Sequence, residues 1–381
     1  MIRKKLFVRL AVLLLFIQFI SLSGYAQPGK WVKSYINSII NDTTSASEPR
    51  FIAYPTLAYS PETKWEIGLS ALYVYYAQRD TTNRLSEINA FTFITLENQY
   101  GLWLDHALYS DKSNWFYLGR FRYQQFPLLY YGIGPDTPAE ELAQVDANSL
   151  QLRERVLRKI YKGVYLGLGF DLQRLTSVEF EQIGDEPILL PTGYNGSTNV
   201  GLGLGLVFDQ RHNVLNVREG FFGETGFLRY SDKWGSKYDF TNYFLDARYF
   251  QPMAKNNVLA TQFFAATNTG NVPFNQLALM GGESLMRGYY LGRYRDKSIL
   301  ASQIEYRFLP FSFSKRLGAS AFFGAGTVAP SIGELSLSKL KVAGGAGLRF
   351  LLFPKKDVFT RLDLAFTEEG NGVYFFIGEA F

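Results

Sequence analysis

The 381-residue chain has no cysteine and only two histidines, His106 and His212. This excludes disulfides, zinc–thiolate centres and thiol nucleophiles, and leaves little material for histidine chemistry. The formal charge of +5 does not point to nucleic acid: without Arg3, Lys4, Lys5 and Arg9 of the N-terminal segment, 35 basic residues face 34 acidic ones.

Residues 1–26 read as a secretory signal peptide. Arg3, Lys4, Lys5 and Arg9 form its basic region, residues 10–20 its apolar segment, and Ala26 the small residue before cleavage. The alternative is a membrane anchor, but the apolar run falls short of the ~20 residues a span requires. Residues 27–50 form a short polar leader. Trp31, Val32, Tyr35, Ile36, Ile39 and Ile40 fall at helical spacing there, so the leader is either a frayed terminus or a periplasmic or lumen-plugging helix.

From Phe51 the apolar period is two. The pattern predicts strands over 51–60, 65–77, 87–97, 101–110, 115–124, 149–161, 163–175 and 198–209. It continues over 220–231, 238–250, 256–266, 298–308, 316–326, 339–350, 357–367 and 371–381. In 198–209, Val200, Leu202, Leu204, Leu206 and Phe208 alternate with Gly201, Gly203 and Gly205. Sixteen aromatic strands, with 33 Phe and 25 Tyr in the chain, alternate between short turns and longer loops. An even strand count and two-faced alternation predict an all-β fold: a 16-stranded antiparallel transmembrane β-barrel over 51–381. A soluble β-sandwich fits poorly, because sixteen long strands would have to bury one face in a shared core. The predicted location is the outer membrane of a Gram-negative cell, with outer-membrane lipid as a partner.

One stretch does not read as strand: the polar, Gly-rich loop around Met286-Arg287-Gly288-Tyr289, between the eleventh and twelfth strands. This loop resembles the Val/Ile-Arg-Gly-Phe/Tyr tip of the BamA/TamA superfamily, also called the bacterial surface antigen family. The resemblance covers Phe51 to Phe381 and implies a loop folded into the lumen, its arginine docked on acidic wall residues. Glu305, in Gln303-Ile-Glu-Tyr-Arg-Phe308, matches the family position for an arginine partner. The aspartate usual on the next strand corresponds to Gly324, a departure; Asp363, inward with Arg361, is the expected substitute. Asp209, Arg211 and Gly220 resemble the family's turn after strand eight, and their plainer reading is a local structural turn. Phe375, Ile377 and Phe381, in alternation at the C-terminus, resemble the barrel-recognition signal, with Glu379 a departure from its apolar preference. Residues 27–50 are too few for the periplasmic repeat (POTRA) domains of assembly members, so the resemblance is to a barrel-only branch.

No Gly-x-Ser-x-Gly elbow is present, and the Gly-x-Gly pairs at 167–169, 201–205 and 344–347 lie in strands, without the strand–turn–helix context that binds phosphate. No cofactor, metal, nucleic-acid or catalytic site is therefore expected, and residues 290–297 read as lumen packing. The resemblance implies a role in inserting or translocating outer-membrane proteins through a lateral seam. Unfolded outer-membrane proteins or separate periplasmic proteins are then the implied partners. The alternative is a non-catalytic pore or structural barrel.

Overall fold

The computed structural model describes residues 45, 47–60, 64–95, 99–125, 127–183, 188–211, 214–354 and 357–381. The predicted signal segment, most of the leader and His212 lie outside these residues. Among the described residues no helix is long and apolar enough to cross a membrane.

Sixteen long strands form the wall. The first half comprises β1 (Arg50–Ser60), β2 (Lys64–Tyr76), β3 (Leu85–Thr95), β4 (Tyr100–Tyr109), β5 (Trp115–Gln125), β6 (Ala143–Tyr161), β7 (Val164–Gln182) and β8 (Ser197–Asp209). The second comprises β9 (Gly220–Tyr230), β10 (Phe240–Pro252), β11 (Val258–Gly270), β12 (Ser298–Phe308), β13 (Leu317–Ala329), β14 (Lys341–Phe353), β15 (Val358–Thr367) and β16 (Asn371–Ile377). Each pairs antiparallel with the next. A three-residue strand, Leu128–Tyr130, adds to β6. β1 and β16 come to lie beside each other. The fold is a 16-stranded antiparallel β-barrel.

Alternation gives the wall two faces. On β8, Leu202, Leu204 and Leu206 are exposed, while Gly201, Gly205, Val207 and Asp209 are buried. The exposed row belongs to lipid; the buried row faces a filled lumen. Both strand termini of the barrel lie at one end, with short turns such as 162–163 and 354–357. The long loops 126–142, 183–196 and 271–297 lie at the other. Short turns on the side of the termini mark the periplasmic rim.

The structure departs most from the sequence expectation in two places. β6 starts at Ala143 rather than at 149, and β7 runs to Gln182 rather than to 175. Ala143, Val145 and Ala147 bury one face of this extension against Tyr130, Leu175 and Phe274. The second departure is at the C-terminus. β16 stops at Ile377, and Gly378 adopts φ +84°, turning the chain inward. Phe375 is exposed on the lipid face, but Phe381 is buried beside Phe250, Leu351 and Phe359. Strand alternation therefore does not carry through to Phe381, and Glu379 is no lipid-facing residue.

Candidate functional site

The 271–297 loop starts from a short hairpin, with Ala278–Met280 paired to Tyr294–Asp296. Its tip lies inside the barrel. Met286, Tyr289 and Tyr294 are buried with Met280, Ile299, Ala301 and Val328. Burial pushes the Tyr289 and Tyr294 phenols above their ordinary range, so both remain neutral. Met286 adopts φ +57°, left-handed for a side-chain residue, at a cost of about 1–2 kcal/mol. Gly288 has φ +106°, and a Cβ there would lie 2.7 Å from Thr367 Cγ2. The wall and the backbone thus both require glycine after the arginine.

Arg287 is almost fully buried, at 1% exposure. Its Nη1 donates to Asp363 Oδ2 on β15 at 2.6 Å, and its Nη2 to Glu305 Oε2 on β12 at 2.5 Å. The guanidinium lies 3.5 Å from the Phe322 ring centroid on β13, a cation–π contact. The structure thus brings Arg287, Glu305 and Asp363 together. It also explains the departure at Gly324: a Cβ there would lie 3.2 Å from Met286 Sδ, so the position that offers no carboxylate gives room to the loop's methionine.

The clamp belongs to a larger cluster. Arg307 donates to Glu305 at 3.0 Å; Arg349 donates to Glu305 at 3.0 Å and to Asp363 at 2.5 Å. Arg361 donates to Asp363 at 2.7 Å. From the periplasmic end, Glu379 accepts from Arg349 at 2.9 Å, and a terminal oxygen of Phe381 from Arg307 at 3.1 Å. Four arginines (287, 307, 349 and 361) thus meet three side-chain carboxylates (305, 363 and 379). Without Arg287, Glu305 keeps Arg307 and Arg349, and Asp363 keeps Arg349 and Arg361.

Three further contacts hold the loop. The Gly288 N–H donates to Tyr374 Oη on β16 at 3.0 Å. Arg293 grips Glu369, between β15 and β16, at 2.5 and 2.6 Å, and donates to Thr137 at 2.8 Å. Arg295 donates to the Leu129 carbonyl at 3.1 Å. Residues 293–296 are thus buried, with their arginines bound to segments at the long-loop end of the barrel.

The second sequence motif forms a separate structure at the periplasmic rim. Asp209 accepts from the Arg211 backbone N–H, Nε and Nη2, each at 3.0 Å, and from Tyr109 Oη at 2.8 Å; Arg84 also pairs with it. Gly220 closes this turn with φ +108°. Nearby, Arg218 donates to Asp357 at 2.5 and 2.7 Å and to the Leu309 carbonyl at 3.0 Å, stitching together turns distant in sequence. Sequence reasoning missed Arg218, Arg349, Tyr374, Glu369 and the inward destination of Glu379. Arg349 left a signal, a charge following Gly345 and Gly347 on the inward face of β14.

The family model described as the Omp85 superfamily domain matches residues 111–381. The chain belongs to the Omp85 superfamily. No curated protein matches the sequence. Among solved structures, this Omp85 barrel resembles BamA from Haemophilus ducreyi lacking POTRA domains 1–3, at 14% identity and TM-score 0.52, over 87% of this chain and 69% of that one. It also resembles CdiB from Acinetobacter baumannii, at 11% identity and TM-score 0.52, and CdiB from Escherichia coli, at 11% and 0.53. Each of these two matches covers 86% of this chain and 59% of the CdiB chain. At such identities the likeness is one of fold: an outer-membrane Omp85 barrel.

Proposed function

We propose that this Omp85 barrel aids insertion or translocation of outer-membrane proteins, with the junction between β1 and β16 as a lateral seam. The carrying observation is a length mismatch. β1 has eleven residues and β16 seven, and Gly378 then turns the chain inward. At least four positions of β1 therefore lie beyond the reach of β16. Pro55 removes one further donor within β1. An incompletely paired strand edge can template an incoming strand by augmentation.

The Arg287 loop is suited to set how firmly that seam is held. Its tip bonds Tyr374 on β16, while its arginine braces β12 and β15. The pairing favours a loop that can let go, since Glu305 keeps Arg307 and Arg349 and Asp363 keeps Arg349 and Arg361 when Arg287 leaves. Unfolded outer-membrane proteins are the expected substrates, with separate periplasmic proteins as delivery partners in the sense the family offers.

A disulfide lock tests the reading, and the cysteine-free chain makes it clean. One cysteine is placed within 51–56 and one within 371–377, and pairs that oxidise in cells are selected. Folded, locked barrels that no longer support outer-membrane protein assembly in their host favour the seam. Full function when locked moves the assignment to a non-catalytic pore or structural barrel.

A further inference from the structure

The outward face of the wall carries one feature that neither the lumen clamp nor the seam uses. His106 on β4 and Glu154 on β6 meet across Gly119 on β5, with Nε2 and Oε2 3.2 Å apart. Alternation fixes their side. Asp105 pairs with Arg120 and Arg122, and Arg155 with Glu224, all on the lumen face. Their neighbours His106 and Glu154 therefore point to lipid. The surrounding outward residues are Leu104, Tyr117, Phe121, Leu152 and Val156.

The depth of this pair makes it unusual. On β5, Trp115 marks the periplasmic rim, with Arg158 over its ring and Tyr117 stacked on it. Tyr123 marks the other rim, its ring 6.2 Å from that of Tyr100. Gly119 lies midway, about 13 Å along the strand from each at about 3.3 Å per residue. A titratable pair thus faces the middle of an apolar band about 25 Å tall. Ionisable groups at that depth are costly and rare unless something covers them. The side chains are 17% and 30% exposed, so the barrel itself covers them incompletely. Gly119 gives them their place: a Cβ there would lie within 2.4 Å of both side chains.

We infer that the β4–β6 face is an intramembrane contact surface for a second copy of this chain. Copies inserted in the same orientation carry the pair at the same depth. A twofold axis along the membrane normal, passing near Gly119, sets His106 of each copy against Glu154 of the other. The acid–base pair is its own complement under that operation, which makes the contact isologous and closed. This inference rests on the barrel fold, not on the seam, so either can fail alone.

The test uses the whole barrel in lipid nanodiscs sized for two copies. A single cysteine replacing Phe121, beside the axis, is expected to form an oxidised dimer; one replacing Leu364 on β15 is not. H106E alone, with two acids, and E154H alone, with two imidazoles, should each cut the F121C dimer about tenfold. Mixing the two should restore it, because the unlike copies are complementary. If H106E fails to fold, H106L/E154L, whose side chains suit lipid, tests the same contact, and its dimer must be lost. A monomeric F121C barrel, variants that crosslink like the parent, or a mixture without rescue overturns the inference.

Discussion

Two buried arginine–carboxylate sites hold different parts of this barrel. At the periplasmic rim, Arg211 binds Asp209, two residues away. In the lumen, Arg287 binds Glu305 and Asp363, 18 and 76 residues away. The Arg211 half of the first is closed within one turn, and Tyr109 and Arg84 reach the same carboxylate from β4 and the β2–β3 turn. The second joins three separate elements and exists only once the wall is assembled. The charges differ as well. Asp209 is the carboxylate shared by Arg84 and Arg211, whereas Glu305 and Asp363 each keep two other arginines when Arg287 is set aside. The rim site is built as a permanent fastening. The lumen site is built so that each wall carboxylate keeps an arginine without the loop's.

The largest expected effect breaks the fastening. D209A removes the acceptor for Arg84, for Arg211 through three donors, and for Tyr109. Removing one partner of a buried ion pair costs about 3–5 kcal/mol. Urea unfolding of the barrel in lipid vesicles is expected to show at least that loss, with failure to assemble in cells. A loss below about 1 kcal/mol would mean that the rim turn is not a fastening.

The next prediction tests the clamp's asymmetry. E305Q leaves Arg287, Arg307, Arg349 and Arg361 with only Asp363 and Glu379, so about 3–5 kcal/mol should be lost. R287A leaves Glu305 and Asp363 paired with Arg307, Arg349 and Arg361, and mainly unmade hydrogen bonds, so about 1–3 kcal/mol is expected. R287A should also expose the 281–293 stretch to protease added outside the cell, while the barrel stays folded. Equal destabilisation by the two variants would remove the argument that the loop can withdraw.

Legibility followed the same divide. The rim turn was readable because Asp209, Arg211 and Gly220 lie close together and their bonding is local. The wall strands were readable because lipid and lumen impose a period of two, which the sequence displays. Glu305 and Asp363 were reachable by combining alternation with a resemblance at Arg287. The C-terminal tail was not, since period-two counting assumes that the strand continues, and one glycine at φ +84° ends it. Arg349 and Tyr374 escaped for a different reason. Each sits on the expected face, but which inward side chains meet across a filled lumen depends on how the loop packs, and strand periodicity carries no information on that.

The smallest expected effect probes the point where clamp and seam touch. Tyr374 on β16 accepts the Gly288 N–H at 3.0 Å, and Y374F removes that acceptor while keeping the ring. The net loss in stability should be only about 0.5–1.5 kcal/mol. The informative readout is elsewhere. If the loop tip holds β16 in place, Y374F should raise amide exchange in 371–377 and leave 358–367 on β15 unchanged, because β15 keeps its Arg287 and Arg349 contacts through Asp363. R287A should raise exchange in both strands. Equal exchange in β16 with and without the Tyr374 hydroxyl would separate the clamp from the seam. The loop would then be a brace for β12 and β15 alone, and the two ends of the comparison would differ in reach but not in their bearing on the last strand.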